Sequence, residues 1–370
     1  MDPIGLSCAA LAAAWPYTPI MPDAELPEEA CFVVHADVAG RLSQHWPDPG
    51  IATQAGMARS RLELGVLTRH GVGARVAIDG RRSAPDTSFI GLEGESFYMR
   101  LQIAEASYAL PQLGLVARAG LIDDPWVITG NQTWGFRGLA ATLSEAQLWS
   151  ERSDGGASLT WTAPRSTVQV TGSILTGEGL QRRERNSGKD AHLLVRIRPL
   201  AFTDADRANQ LAVDLYARNG SKGTALVRNH RVGARVHGGS QAIRGGASVS
   251  KVWGLGGDAE ATPWGGETWG TADVGLFTSA VRAHLVDQQP GVSQHTDVAG
   301  MVAVGLRPPN AQARPGYFMI GVEHAALGEL SAPVSGAAGT QNSTMVFAQL
   351  GVDLRAGGSL SLPSVRGARP

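Results

Sequence analysis

The feature that most constrains this chain is an alternation of apolar and polar side chains with a period of two, recurring along nearly its whole length. Successive side chains of a β-strand point to opposite faces, so this pattern marks strands with one apolar and one polar face. In residues 190–199, Ala191, Leu193, Val195 and Ile197 point one way and His192, Arg196 and Arg198 the other, with Leu194 the lone apolar member of the second face. Residues 166–176 set Val168, Val170 and Ile174 against Thr167, Gln169, Thr171 and Ser173. Residues 210–218 set Leu211, Val213, Leu215 and Ala217 against Asp214, Tyr216 and Arg218. Residues 345–355 set Val346, Ala348, Leu350, Val352 and Leu354 against Gln349, Gly351, Asp353 and Arg355. Helical periodicity is nearly absent, and only 138–150 is expected to form a short helix.

The alternating segments run to roughly nine to fourteen residues, whereas strands of soluble sandwiches average roughly five or six. They match the roughly nine to eleven tilted residues with which a β-strand crosses a bilayer. Connections sort by parity: they are short near His70-Gly71, Pro111 and Pro164-Arg165, and long at about 80–95, 120–153 and 177–189. Short turns on one rim and long loops on the other mark an outer-membrane barrel. Counted from a first strand at 31–37, the pattern yields about sixteen candidates, with fourteen as the alternative; the last five are 271–285, 297–306, 315–325, 343–355 and 358–366. The expected fold is all-β, a closed antiparallel transmembrane β-barrel formed by residues 31–370 as one domain, with the long loop 120–153 folding toward the pore.

Composition removes the competing classes. A hydrophobic share of 43% excludes wholesale disorder, and a net charge of −1 argues against nucleic acid as a partner bound through phosphate neutralisation. No apolar run is long enough for a membrane-spanning helix. There is no Gly-x-Ser-x-Gly elbow, Walker loop or His-Glu-x-x-His, and the nine His show no ligand spacing. His230, His237 and Ser240 are the only residues that suggest a hydrolytic site, and they lack a paired orienting group. No enzyme activity and no cofactor or metal are expected. Only three of the 32 basic residues are Lys (Lys189, Lys222 and Lys251), so the cations are nearly all Arg.

Cys8 and Cys31 give no metal site and no disulfide framework. Residues 4–14 end in an Ala-x-Ala pattern like the close of a secretory signal, without a basic n-region, so 1–30 is read as a signal-like remnant and N-terminal extension. Cleavage after Ala14 would leave Cys31 alone. The end, Val365-Arg366-Gly367-Ala368-Arg369-Pro370, lacks the terminal aromatic of exported barrels.

Residues 31–199 resemble the phosphate-selective porins in layout. The stretch Leu113-Gly114-Leu115-Val116-Ala117-Arg118-Ala119-Gly120-Leu121-Ile122-Asp123-Asp124-Pro125-Trp126 resembles the family's strand entering its long loop, and Phe136-Arg137 its late aromatic-plus-Arg step. Ser153-Asp154-Gly155-Gly156-Ala157-Ser158-Leu159 resembles the re-entry into the next strand. Gly177-Glu178-Gly179 and Gly188-Lys189-Asp190 then bracket a loop before a strand ending Arg196-Ile197-Arg198-Pro199. The resemblance implies a sixteen-stranded barrel, commonly a homotrimer, passing small solutes past a loop that folds into the pore. The family's phosphate-binding Lys cluster has no counterpart here.

On the strand register, Arg75, Arg118, Arg196, Arg198, Arg218, Arg231 and Arg235 face inward with Asp79, Asp214 and Asp353, which predicts an electropositive lumen focusing small anions. Asp123, Asp124, Arg137 and Glu145 lie in the 120–153 connection, where they are expected to oppose the wall arginines across the narrowest point. Trp126, Trp134, Trp149, Trp253, Trp264 and Trp269 fall near strand ends or in loops, as girdle or loop-packing residues. The function expected is passive diffusion of small solutes across the bacterial outer membrane, with lipid and solutes as partners. The rivals are a non-conducting outer-membrane barrel with a structural or hydrolytic role and a secreted soluble all-β protein.

Overall fold

Sixteen strands close into one antiparallel barrel in the computed structural model of the chain. It describes residues 8, 26, 29–46, 54–82, 97–177, 179, 188–199, 211–222, 226–240, 242–255, 258–288, 296–307, 316–326 and 342–360. The strands are β1 (Ala30–Trp46), β2 (Gln54–Leu67), β3 (Val72–Arg82), β4 (Phe97–Leu110), β5 (Leu115–Asp123), β6 (Ser153–Thr162), β7 (Val168–Leu175) and β8 (Asp190–Ile197). They continue as β9 (Ala212–Asn219), β10 (His230–Gly239), β11 (Ile243–Trp253), β12 (Trp264–Val274), β13 (Phe277–Asp287), β14 (Thr296–Leu306), β15 (Tyr317–Ala326) and β16 (Asn342–Leu360). Each pairs with its neighbour in sequence, and β16 closes on β1 along the full seam from Ala30↔Leu360 to Trp46↔Thr344. Closure leaves no strand edge, which is what lets a sheet sit in hydrocarbon with its backbone groups satisfied.

The side chains are distributed inside out. Along β8, Ala191, Leu193 and Ile197 are exposed on the outer surface, while Asp190, His192 and Arg196 are buried in the bore. The same inversion runs round the barrel: Leu62, Leu64, Leu215, Val249, Val302, Ile320 and Leu354 are exposed, whereas Glu63, Gln102, Asp214 and Gln349 are almost fully enclosed. A water-soluble protein would not expose this many large aliphatic side chains in a band, and a soluble sandwich would bury them between two sheets. Trp46, Tyr98, Tyr108, Trp161 and Trp264 supply exposed aromatics.

Two of the sequence-derived strand boundaries are corrected, and their errors cancel in the count. The candidate 271–285 is a hairpin of β12 and β13 turning at 275–276, and the candidate 343–355 runs on to Leu360 in one strand, β16, leaving 361–366 of the last candidate outside the described residues. The helix is also displaced. The main one, α1 (Pro125–Trp134), precedes the 138–150 segment, which contains only one turn, α2 (Leu143–Ala146). Loop parity blurs after residue 200 because the connections 198–211 and 307–316, on the short-turn rim, are long.

Cys8 and Cys31 are joined in a disulfide with their Cα atoms 5.3 Å apart, correcting the expectation of unpaired thiols. Cys31, Val33 and Leu67 point into the bore at the short-turn rim and pack with Cys8 and Leu26. The signal-like reading of 4–14 lies outside the described residues apart from Cys8, as does the C-terminal 365–370 segment. Both sulfurs are bonded, so unreduced denatured protein should take up no thiol-alkylating reagent and reduced protein two equivalents. Labelling without reduction, read by mass spectrometry, would contradict the bond.

Candidate functional site

The bore is crossed by the β5–β6 connection, which folds inward and docks on one side of the wall. Asp124 opens α1: its carboxylate accepts from the backbone N–H of Trp126 and Val127 at 2.9 and 3.1 Å, with Pro125 at the first helical position. Gly135 closes the helix in a left-handed conformation, φ 74°, which a glycine adopts without a Cβ clash. Gly130, inside the helix, permits close approach: a Cβ there would lie 2.8 Å from the Arg235 guanidinium.

Three anchors hold the loop. Trp126 stacks on Tyr216 at 5.2 Å and packs against Leu194, while its ring nitrogen donates to Ser144 Oγ at 2.9 Å. Arg235 lies 3.9 Å over the same indole and donates to the Trp126 carbonyl at 3.2 Å. Trp134, Phe136 and Leu139 form the second anchor, buried against Trp269, Met301, Met319 and Phe347 of β12 and β14–β16. The third is polar: Glu267 accepts from the Leu143 N–H at 2.9 Å, Gln349 donates to the Gly138 carbonyl at 2.9 Å, and Arg282 donates to the Ala141 carbonyl. One half of the wall is thus covered by the loop. Between α1 and the wall on the opposite side, chiefly β5–β8, remains a cavity of about 110 Å³ bordered by Arg75, Arg118, Arg196 and, on the helix, Ile128, Thr129 and Gln132.

The seven arginines singled out from sequence occupy three different situations. Arg75, Arg196, Arg218 and Arg235 are in direct acid pairs. Arg75 reaches Glu105 at 3.1 Å and Asp123 at 2.5 Å, and Arg218 donates to Asp190 at 2.6 Å. Arg196 holds both Asp214 oxygens, at 2.6 and 2.9 Å, and Arg235 shares that carboxylate at 3.2 Å. Arg231 instead donates to carbonyls, among them Trp149 at 2.9 Å, tying the end of the loop to the wall. Arg118 and Arg198 are the loosest: the nearest acid oxygen to Arg118 is Glu105 at 3.8 Å, and Arg198 donates to the Ser166 carbonyl at 3.1 Å. Burial, with Arg196 adding repulsion, draws Arg198 down to about 10, so it is cationic at neutral pH. Of the acids assigned inward with them, Asp79 lies 3.5 Å from Arg152 and Asp353 pairs with Arg355 and His35.

The four charges placed in the loop do not form an acidic face opposite these arginines. Asp123 is the last residue of β5, on the wall beside Arg75. Asp124 is engaged in the helix cap, and Arg137 and Glu145 pair with each other inside the loop, where Asn131 also donates to Glu145 at 3.0 Å. His230, His237 and Ser240 do not converge: His230 and Ser240 lie at opposite ends of β10, and His237 is 3.6 Å from Asp214. Among the described residues no group of His, Cys, Asp and Glu is arranged to hold a metal ion. Of the tryptophans, Trp126, Trp134 and Trp149 are buried by the loop rather than at an interface, and Trp269 faces the bore.

Sequence reasoning missed α1, and it read Gln169, Thr171 and Ser173 as one polar face of a strand without assigning them to a site. Asp124-Pro125 followed by Gly135 was the available signal for the helix, since an N-cap acid, a first-turn proline and a terminal glycine bracket it.

Two loop carboxyls make docking pH-dependent with opposite signs. Burial pushes Asp124 up to about 6, against the pull of Arg218 and the two cap N–H groups. Burial also pushes Glu145 up, but Arg137 and the hydrogen bonds from Arg137 and Asn131 outweigh it and hold it at about 2. A raised carboxyl contributes stability that is present below its ordinary value near 3.8 and lost as pH rises through about 6. A depressed one contributes stability present above about 4.5 and lost as pH falls toward about 2. The loop should therefore tighten between neutral pH and about 5 and loosen below about 4. Amide exchange at 126–134, corrected for intrinsic rates, should slow and then quicken over that range; a monotonic response would contradict the assignment.

A closed sixteen-stranded barrel with an apolar exterior and a loop folded into its bore defines the porin fold. Solved structures agree. The anion-selective porin from Comamonas acidovorans superposes with a TM-score of 0.61 at 11% identity, covering 88% of this chain and all of that one. The outer-membrane channel DcaP of Acinetobacter baumannii gives a TM-score of 0.55 at 13% identity over 88% of this chain and 98% of its own. A mutant of the Rh. blastica porin gives 0.52 at 13%, covering 87% of this chain and all of that one. No family model and no curated protein sequence matches the chain.

Proposed function

We propose that the chain is a water-filled channel of the bacterial outer membrane through which small hydrophilic solutes diffuse, with anions favoured. The observation that carries this reading is the loop itself: it narrows a polar bore yet leaves an open space against β5–β8. A barrel serving only as a scaffold gains nothing from a charged bore partly closed by its own loop. The anion preference rests on local imbalance. Arg61, Arg75 and Arg118 are matched by Glu63, Glu105 and Asp123, but Arg196 and Arg235 share the single carboxylate of Asp214. Arg198 adds a further cation at the short-turn rim. A preference for phosphate, which the sequence resemblance implies, would depend on Arg118, Arg196 and Arg198, since Lys251 is turned to the Thr262 carbonyl. The homotrimer implied by the same resemblance, and the division into an N-terminal extension 1–30 and one barrel unit over 31–370, complete the proposal.

Replacing Arg196 and Arg198 together by Gln removes two cations and leaves Asp214 only half countered. The anion-to-cation permeability ratio, read from the reversal potential in a salt gradient, should fall at least about twofold. An unchanged reversal potential would refute their role in the permeation path.

A further inference from the structure

We infer that the passage recognises polyhydroxylated monocarboxylates, the chemistry of sugar acids, by a panel of neutral hydrogen-bonding side chains set beside Arg118. This rests on the channel reading and specifies what the channel prefers. On the inner face of β6 stand Ser158, Thr160 and Thr162, and on that of β7 stand Gln169, Thr171 and Ser173. The register puts them in three transverse rows: Ser158 opposite Ser173, Thr160 opposite Thr171, Thr162 opposite Gln169. The pairing continues outward, Arg118 opposite Ser158 on one side and Arg196 opposite Gln169 on the other, so the two arginines occupy diagonal corners.

The six side chains carry no charge, and all border the cavity. Rows lie about 7 Å apart and strands about 5 Å apart, a lattice on which a chain of hydroxyls finds several partners at once. Thr160 and Thr171 hydroxyls are 3.1 Å from each other, and Arg118 donates to Thr160 at 3.4 Å. Ser173 Oγ is buried without a protein partner, in a residue only 6% exposed. A buried hydroxyl left unpaired is unfavourable, so this one is suited to a group arriving in the cavity. Across the gap, Pro125 and Ile128 of α1 offer an apolar surface, which complements the C–H face of a polyol as the panel complements its hydroxyl edge. Arg118, with 28% of its side chain exposed and its nearest acid oxygen at 3.8 Å, is placed to take the carboxylate. A compact inorganic anion uses an arginine and reaches only the one or two panel donors next to it, whereas a chain of hydroxyls spans several rows; uncharged sugars use the panel and forgo Arg118.

The test is current block in planar bilayers by the full chain, comparing gluconate with hexanoate, glucose and inorganic phosphate. Gluconate should interrupt the current at concentrations about tenfold below those of hexanoate, which lacks one or two of the hydrogen bonds, and of glucose, which lacks the charge for Arg118. Replacing Thr171→Val with Ser173→Ala should bring gluconate to within about twofold of hexanoate. Block by phosphate as strong as by gluconate, or no gluconate preference in the wild-type chain, overturns this inference and leaves the channel reading standing. A preference that survives the double replacement also overturns it. Folded protein that never conducts overturns both, and is recognised by silence before any solute is added.

Discussion

Replacing Trp126 with Ala should convert a steady channel into a noisy one whose current makes frequent excursions above the wild-type level. Trp126 is 2% exposed and is the hinge pin of the loop: it stacks on Tyr216, packs on Leu194, lies under Arg235 and donates to Ser144. Removing a buried indole costs about 3–5 kcal/mol, a shift of two to three powers of ten or more in the balance between docked and undocked loop. The barrel wall closes through its own strand pairs, so the cost falls on the loop rather than on the cylinder. The undocked segment no longer narrows the bore at α1, and conductance rises. A quiet trace at the wild-type level from Trp126→Ala would show that the loop does not set the constriction.

The second large effect is at Asp214, which is fully buried, neutralises parts of Arg196 and Arg235 at once and lies 3.6 Å from His237. Asp214→Asn leaves two guanidiniums facing each other in an enclosed space. Breaking a buried ion pair from one side costs about 3–5 kcal/mol, so the temperature at which the folded barrel opens in detergent should drop. Selectivity should move the other way from the Arg196 and Arg198 replacements, toward anions, because a wall acid has gone while the cations remain. The two variants therefore form an opposed pair. If both move the reversal potential in the same direction, the charges at β8–β10 do not face the permeating ions.

Much of this architecture was legible in the sequence because membrane strands carry their environment in their alternation. The outward Ala191, Leu193, Val195 and Ile197 and the inward His192 and Arg196 could be assigned before any coordinates, while the count of about sixteen holds because the missed hairpin and the divided last strand cancel. The exception on that face, Leu194, was visible as an anomaly; the structure explains it as the seat of Trp126. Met301, Met319 and Phe347 are the same kind of exception on the opposite wall, inward-facing apolar groups covered by Trp134, Phe136 and Leu139. What alternation could not reveal is pairing across strands. That Arg196 shares Asp214 with Arg235, or that Ser173 stands opposite Ser158, depends on register, which no local pattern specifies. The β12–β13 hairpin was missed although the alternation shifts phase at its two-residue turn 275–276, where Val274 and Phe277, three residues apart, pair on one face. The disulfide escaped for a related reason, since a partner 23 residues away in an apparently removable segment gives no local sign.

The proposed channel requires a lipid-facing cylinder that encloses a continuous wet passage beside the docked loop. Single-channel recording of the folded, unmodified chain in a planar bilayer tests it most directly. Discrete, long-lived current steps that scale with salt concentration and reverse on the anion side of a gradient are the predicted result. Folded barrel that inserts into the bilayer and yet carries no current at any salt concentration would contradict it.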